Sequence, residues 1–128
     1  MTDTDSERPI QLGLIGDNIA RSRAPALHEA AGAHIGLAVC YDRLIPKDRA
    51  ETFEQVFAAA QQSRFRGLNI TYPYKERVVP LLRVPEAGVA RLGAVNTVVF
   101  SPEGPLGYNT DWSGFIAGYR HVLGDRPA

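Results

Sequence analysis

Ile10-Gln11-Leu12-Gly13-Leu14-Ile15 alternates apolar residues and reads as a first β-strand. Gly16-Asp17-Asn18 breaks it, and Pro25 can open a helix because its missing N–H would be unpaired there anyway. Leu27, Ala30, Ala31, His34 and Ile35 then fall on one helical stripe, and Gly36 is a natural stop. The alternation continues downstream. Val39 to Leu44 is a second strand, and Pro46 opens a longer helix whose core face is Ala50, Phe53, Val56, Phe57 and Ala60. Gly67 to Thr71 is a third strand; Pro73 starts a short helix that Pro80 interrupts or ends, and Glu86 to Leu92 is a second short helical stretch. Ala94 to Phe100 is β-branched and apolar, with Pro105 to Tyr108 as its hairpin partner across the Ser101–Gly104 turn. Asn109 or Thr110 caps a last helix carrying Phe115, Ile116, Tyr119 and Val122, which Gly124 and Pro127 end.

Strands alternating with helices predict an α/β fold, a three-layer sandwich with a mainly parallel twisted sheet and one antiparallel strand from the hairpin. In such sheets ligands gather at the carboxyl ends of strands. That rule selects three loops: Gly16 to Pro25, Thr71 to Lys75, and Asn96 or Asn109 to Asp111.

The chain's 128 residues suit one domain, and 45% hydrophobic with 22% charged residues is an ordinary globular balance. Residues 1–9 read as a polar leader and 10–128 as the domain. Fourteen basic and fourteen acidic side chains cancel, which argues against nucleic acid as a partner. No apolar run approaches the roughly 20 residues that span a membrane. The acidic first residues are unlike a secretory signal, and the single cysteine, Cys40, reads as an inert strand thiol. The expected setting is reducing and cytoplasmic. His28, His34 and His121 lack metal-ligand spacing, so no metal site is expected; His28 follows the helix start, where it either lines the cleft of those loops or, the favoured reading, is structural. Trp112 and Phe115 read as packing residues. Neither Gly-x-Gly-x-x-Gly nor Gly-x-Ser-x-Gly occurs.

The selected loops are dense in polar side chains. Ser22, just before a helix N-terminus, can hold an anion or simply cap the turn. Period-2 alternation puts Asn69 and Thr71 on one strand face, aiming an amide and a hydroxyl at one spot. Lys75 falls in a first helical turn, where the dipole disfavours a cation; it is either functional or a solvated lysine. Asn96 offers a donor and an acceptor to a diol, or bonds a neighbouring loop. Asp111 is comfortable at a helix start, and a functional role for it needs Lys75 nearby.

In order, Ser22-Arg23-Ala24-Pro25, Asn69-Ile70-Thr71-Tyr72-Pro73-Tyr74-Lys75, Gly93-Ala94-Val95-Asn96-Thr97 and Gly107-Tyr108-Asn109-Thr110-Asp111, with Gly114-Phe115 behind, resemble the N-terminal domain of the shikimate dehydrogenase family, quinate/shikimate dehydrogenases included. The resemblance runs from about Leu12 to Leu123. It implies reversible, NAD- or NADP-dependent reduction of 3-dehydroshikimate to shikimate, or the quinate/3-dehydroquinate equivalent. Lys75 matches the family's catalytic lysine and Asp111 its paired aspartate. Ser22 and Thr71 match hydroxyls that hold the substrate carboxylate; Asn69, Asn96 and Asp111 match groups that hold ring hydroxyls. The implied partner is a small cyclic hydroxy-carboxylate, and a homodimer is compatible with it.

Departures from the family pattern bear on substrate identity. The second serine of Ser-x-Ser-Pro is Ala24; Tyr72 and Tyr74 frame Pro73 in a form that resembles the quinate/shikimate or shikimate-dehydrogenase-like branches more than the strict biosynthetic enzyme; Arg21 stands where the family often has histidine. No cofactor site is evident in the chain itself, because the family's glycine-rich Rossmann domain follows this segment. The expectation is a domain cut from a longer protein; the alternative is a short hydroxy-acid binding module without catalysis.

Overall fold

The computed structural model describes residues 9–124. Strands β1 (Ile10–Ile15), β2 (Val39–Leu44), β3 (Gly67–Ile70), β4 (Thr97–Ser101) and β5 (Gly104–Tyr108) form one sheet in the order β2-β1-β3-β4-β5. β1 pairs in parallel with β2 and β3, while β4 is antiparallel to both β3 and β5. One strand, β4, therefore runs against the other four, which is the expected mainly parallel sheet; it is the first strand of the hairpin, not its return. The helices are α1 (Ala24–His34), α2 (Pro46–Arg49), α3 (Phe53–Gln62), α4 (Ala87–Leu92) and α5 (Thr110–Leu123). The polar leader and Pro127 lie outside the described residues, residue 9 excepted.

Side-chain alternation sends neighbouring β1 residues to opposite faces. Leu14 joins Tyr41 and Ile19 beside Ala24 of α1. Ile15 joins Leu68, Ile70 and Val98 under Phe53, Val56, Phe57 and Ala60 of α3. The sheet thus lies between helical layers, with the larger core on the α3 side.

The Leu27–Ile35 stripe of α1 faces outward: Leu27 is 67% and Ile35 68% exposed. The face toward β2 carries Pro25, His28, Glu29 and Gly32, of which Pro25 and Gly32 are buried. A Cβ on Gly32 would collide with Val39 Cγ2, so the helix approaches β2 on its smallest residue. Glu29 Oε2 accepts the Tyr41 backbone N–H at 3.1 Å, satisfying a donor on the edge strand. Backbone satisfaction and close approach outrank the apolar stripe here.

The long helix after Pro46 is two helices. Ala50 adopts a left-handed conformation (φ 54°) and is exposed, and a Thr52/Gln55 capping box starts α3 afresh. No α-helix follows Pro73. Val78 N bonds Tyr74 O, but Pro80 has no N–H to continue the ladder, and the segment tightens into a 3-10 turn at Val79–Leu81. α5 buries none of its residues completely. Trp112 packs against the core, while Phe115 and Val122 are 68% and 78% exposed.

β1 leads through α1 to β2 on one side, and β2 crosses back through α3 to β3 on the other. That reversal opens a crevice at the carboxyl ends of β1 and β3. β4 runs the opposite way, so Thr97 at its start faces both Asn69 and Tyr108. The segments before β4 and after β5 consequently reach the same end of the sheet.

Candidate active site

The loops beyond β1 and β3 continue the strands' pairing. Thr71 N donates to Ile15 O (3.0 Å), and Asp17 N to Tyr72 O (3.2 Å). Tyr74 Oη then donates to Asp17 Oδ1 at 2.7 Å, fastening one loop to the other. Tyr74 is buried and its ring stacks on Phe53, at the start of α3, with centroids 4.7 Å apart. The Arg77 guanidinium lies 6.0 Å from the Phe53 ring and 5.9 Å from the Tyr74 ring while binding Glu54 through two hydrogen bonds. Those bonds hold the Glu54 carboxyl below its ordinary value. Burial, with the Asp17 hydrogen bond behind it, pushes the Tyr74 phenol up to about 12. The loop that carries Lys75 is thus anchored on α3 by its neighbour in sequence.

A cleft of about 520 Å³ opens at this crevice, with Ser22, His28, Tyr41, Asn69, Thr71 and Tyr72 among its walls. A second hollow of about 380 Å³ includes Lys75 and Ala94 and shares Thr71 and Tyr72 with the first. The predicted carboxylate hydroxyls and the predicted catalytic lysine therefore border neighbouring hollows with Thr71 and Tyr72 in common. Ser22 both lines the cleft and tightens the turn into α1, whose N-cap is Arg23: its Oγ accepts from Ala24 N at 3.2 Å, and its carbonyl is held by Arg43 Nη2 at 2.6 Å. Arg21 is exposed and outside the walls of both hollows.

Lys75 Nζ lies 3.8 Å from Asp111 Oδ2, with the side chains 38% and 79% exposed. So long and solvated a pair contributes at most about 1 kcal/mol and leaves both groups free to turn toward a ligand. Asn109 caps α5, its Oδ1 accepting from Trp112 N and its Nδ2 donating to Ala94 O. Asn96 is committed to the same junction: Oδ1 accepts from Thr110 N and Thr97 Oγ1, and Nδ2 donates to Thr110 Oγ1. Of the predicted site residues, Ser22, Asn69 and Thr71 share a cleft, Lys75 meets Asp111, and Asn96 holds the helix that presents Asp111.

The sequence reading passed over Tyr41 and Asp17 as site residues; His28, which it read as structural with the cleft wall as the alternative, does line the cleft. Tyr41 is buried in β2, stacks on His28 (4.6 Å) and donates to Asn69 Oδ1 at 2.8 Å. Only the strand order shows that Tyr41 shares a face with Asn69, since β1 stands between their strands. Among the described residues, no group of three or more His, Cys, Asp or Glu side chains could hold a metal ion.

The profile of the shikimate dehydrogenase substrate binding domain matches residues 14–98. The chain belongs to the shikimate dehydrogenase substrate-binding domain family. Quinate/shikimate dehydrogenase (NAD(+)) of Corynebacterium efficiens is 46% identical over 120 residues, covering 91% of this chain and 42% of that protein. Among solved structures, quinate dehydrogenase from Corynebacterium glutamicum in complex with NAD superposes with a TM-score of 0.79 at 41% identity, covering 93% of this chain and 44% of that one. Shikimate 5-dehydrogenase from Thermus thermophilus, in complex with NADP(H) and shikimate, gives 0.71 at 29% identity, covering 88% and 42%. The chain spans less than half the length of these relatives.

The relatives are named for NAD(+) or NADP(+), and among the described residues the turn after β1 does not fit that group. A dinucleotide cradle needs an open glycine-lined backbone after a strand. The turn after β1 is filled instead: a Cβ on Gly16 would collide with Thr71 Cγ2.

Proposed function

We propose that this substrate-binding domain holds a cyclic hydroxy-carboxylate of the shikimate or quinate type and manages the proton in its reversible NAD(P)-dependent oxidoreduction. The observation that carries the reading is the Lys75–Asp111 pair, 3.8 Å apart, beside a cleft walled by Ser22, Asn69 and Thr71. Ser22 and Thr71 offer hydroxyl donors to a carboxylate, and Asn69 offers an amide to ring hydroxyls. Lys75 is the cationic donor next to the oxygen on which negative charge develops as a ketone is reduced, and Asp111 orients its ammonium. The hydride belongs to a nucleotide site outside these residues. Ala24 in place of a serine, and Tyr72 and Tyr74 around Pro73, lean toward quinate as much as shikimate.

The cytoplasm is the proposed setting, in keeping with the free thiol of Cys40. The reading includes a homodimer, which light scattering tests. Calorimetric titration of the chain with shikimate, quinate and 3-dehydroshikimate tests the substrate class. Binding of at least one is expected, and binding of none overturns the reading.

A further inference from the structure

Tyr41 is a buried polar side chain that the proton-transfer reading leaves unused. It is 5% exposed, and its hydroxyl donates to Asn69 Oδ1 at 2.8 Å. His28 stacks on its ring at 4.6 Å and 25°, and His28 Nδ1 lies 2.9 Å from the Ala24 carbonyl oxygen. Glu29 Oε2 takes its backbone N–H. Two consecutive side chains of α1 thus fix the ring and the backbone of one tyrosine. Burial pushes the phenol up to about 12, so at neutral pH the hydroxyl keeps the proton it donates.

An asparagine amide can sit two ways round, exchanging its acceptor oxygen for its donor nitrogen. On the side away from Tyr41, Asn69 Nδ2 lies 3.5 Å from both the Asn96 carbonyl oxygen and Thr97 Oγ1. The Asn96 carbonyl is purely an acceptor, so Oδ1 turned that way would meet another oxygen. The Asn96 acceptor selects the orientation, and the Tyr41 hydroxyl, which could donate or accept, reinforces it by donating to Oδ1. The contacts of Nδ2 are long, which leaves its hydrogens available, whereas Oδ1 is engaged by the phenol.

We propose that Tyr41 is a positioning residue for Asn69, committing the amide to donate an N–H to a ligand hydroxyl oxygen in the cleft. The ligand half rests on the hydroxy-acid reading above; the orientation half does not. Without ligand, the Asn69 side-chain NH2 protons of the wild-type chain give nuclear Overhauser contacts to Thr97 and none to the Tyr41 ring edge. The reverse pattern overturns the proposal, and this measurement needs no variant. Tyr41→Phe keeps the stacked ring and removes only the hydroxyl. It shifts and broadens the Asn69 NH2 pair while β3 backbone resonances hold; an unmoved pair overturns the proposal. In calorimetric titration with shikimate and quinate, Tyr41→Phe weakens binding about fivefold to thirtyfold in the wild-type background and not at all in Asn69→Ala. An equal loss in both backgrounds means that Tyr41 does not act through Asn69. If the wild-type chain binds neither acid, the substrate reading fails, and the Asn69 NH2 contacts still decide the orientation.

Discussion

Lys75 Nζ and Asp111 Oδ2 face each other at 3.8 Å across the gap between the loop after β3 and the first turn of α5. The two residues are 36 positions apart in the chain; β4 carries the backbone away from the end of the sheet where Lys75 stands, and β5, antiparallel to it, returns the chain to that end just before Asp111. If Lys75 delivers the proton, its loss removes general-acid assistance worth about 10²- to 10⁴-fold in turnover. The expected result for Lys75→Ala, in this chain joined to the remaining length of the C. glutamicum quinate dehydrogenase, is a kcat lowered by that order with KM changed far less. Steady-state kinetics with quinate and NAD measures it, and undiminished kcat removes Lys75 from the chemistry.

Tyr74→Phe deletes the bond to Asp17 and keeps the stack on Phe53. A hydrogen bond to a carboxylate is worth about 1.5–3 kcal/mol, and the loss lowers the denaturation midpoint by a corresponding amount. Alkaline pH acts on the same group. The phenols of Tyr74 and Tyr41 are both pushed up to about 12, above the ordinary value of 10.0. A raised acid favours the folded state while protonated, so this contribution is complete below about pH 10 and disappears as pH rises toward 12. Urea unfolding at a series of pH values from 8 to 11.5 is expected to show stability falling only at the alkaline end. The fall is smaller in a Tyr41→Phe, Tyr74→Phe double variant, and an identical profile there assigns the loss to other groups.

Ala24 stands half-buried on the cleft wall, two residues beyond Ser22. Ala24→Ser restores a hydroxyl beside the anion position. One added hydrogen bond of about 1 kcal/mol tightens shikimate binding about fivefold. Titration calorimetry checks it, with a neutral cyclohexane triol expected to show no gain. An equal gain for both ligands places the new hydroxyl away from the carboxylate.

Gly16 leaves no room for a side chain, because its Cβ would meet Thr71 Cγ2 and Ile19 Cγ2. Thr71 is β-branched and cannot rotate away cheaply. Gly16→Ala is expected to cost about 1–3 kcal/mol of stability by overpacking and to weaken acid binding by displacing the Thr71 hydroxyl. Thermal denaturation and calorimetry measure the two effects, and unaltered binding separates Thr71 from the ligand.

Much of the fold was legible in the residues themselves. The apolar alternation of Ile10–Ile15, the capping residue Asn109 and the β-branched run before Ser101 are local signals, and local hydrogen bonding and side-chain periodicity set strands and caps. The motifs around Ser22, Thr71, Lys75 and Asp111 likewise identified the family from sequence alone. Where a local signal competed with a distant partner, the sequence did not decide. Leu27 and Ile35 face outward because Glu29 answers an N–H on β2 and Gly32 must touch Val39. The helix after Pro46 breaks because Thr52 and Gln55 form a box of their own. The pairing of Tyr41 with Asn69 and of Tyr74 with Asp17 crosses 28 and 57 positions of chain. The strand order β2-β1-β3 and the parallel pairing of β1 with both neighbours bring those partners together, and no periodicity within one segment encodes either.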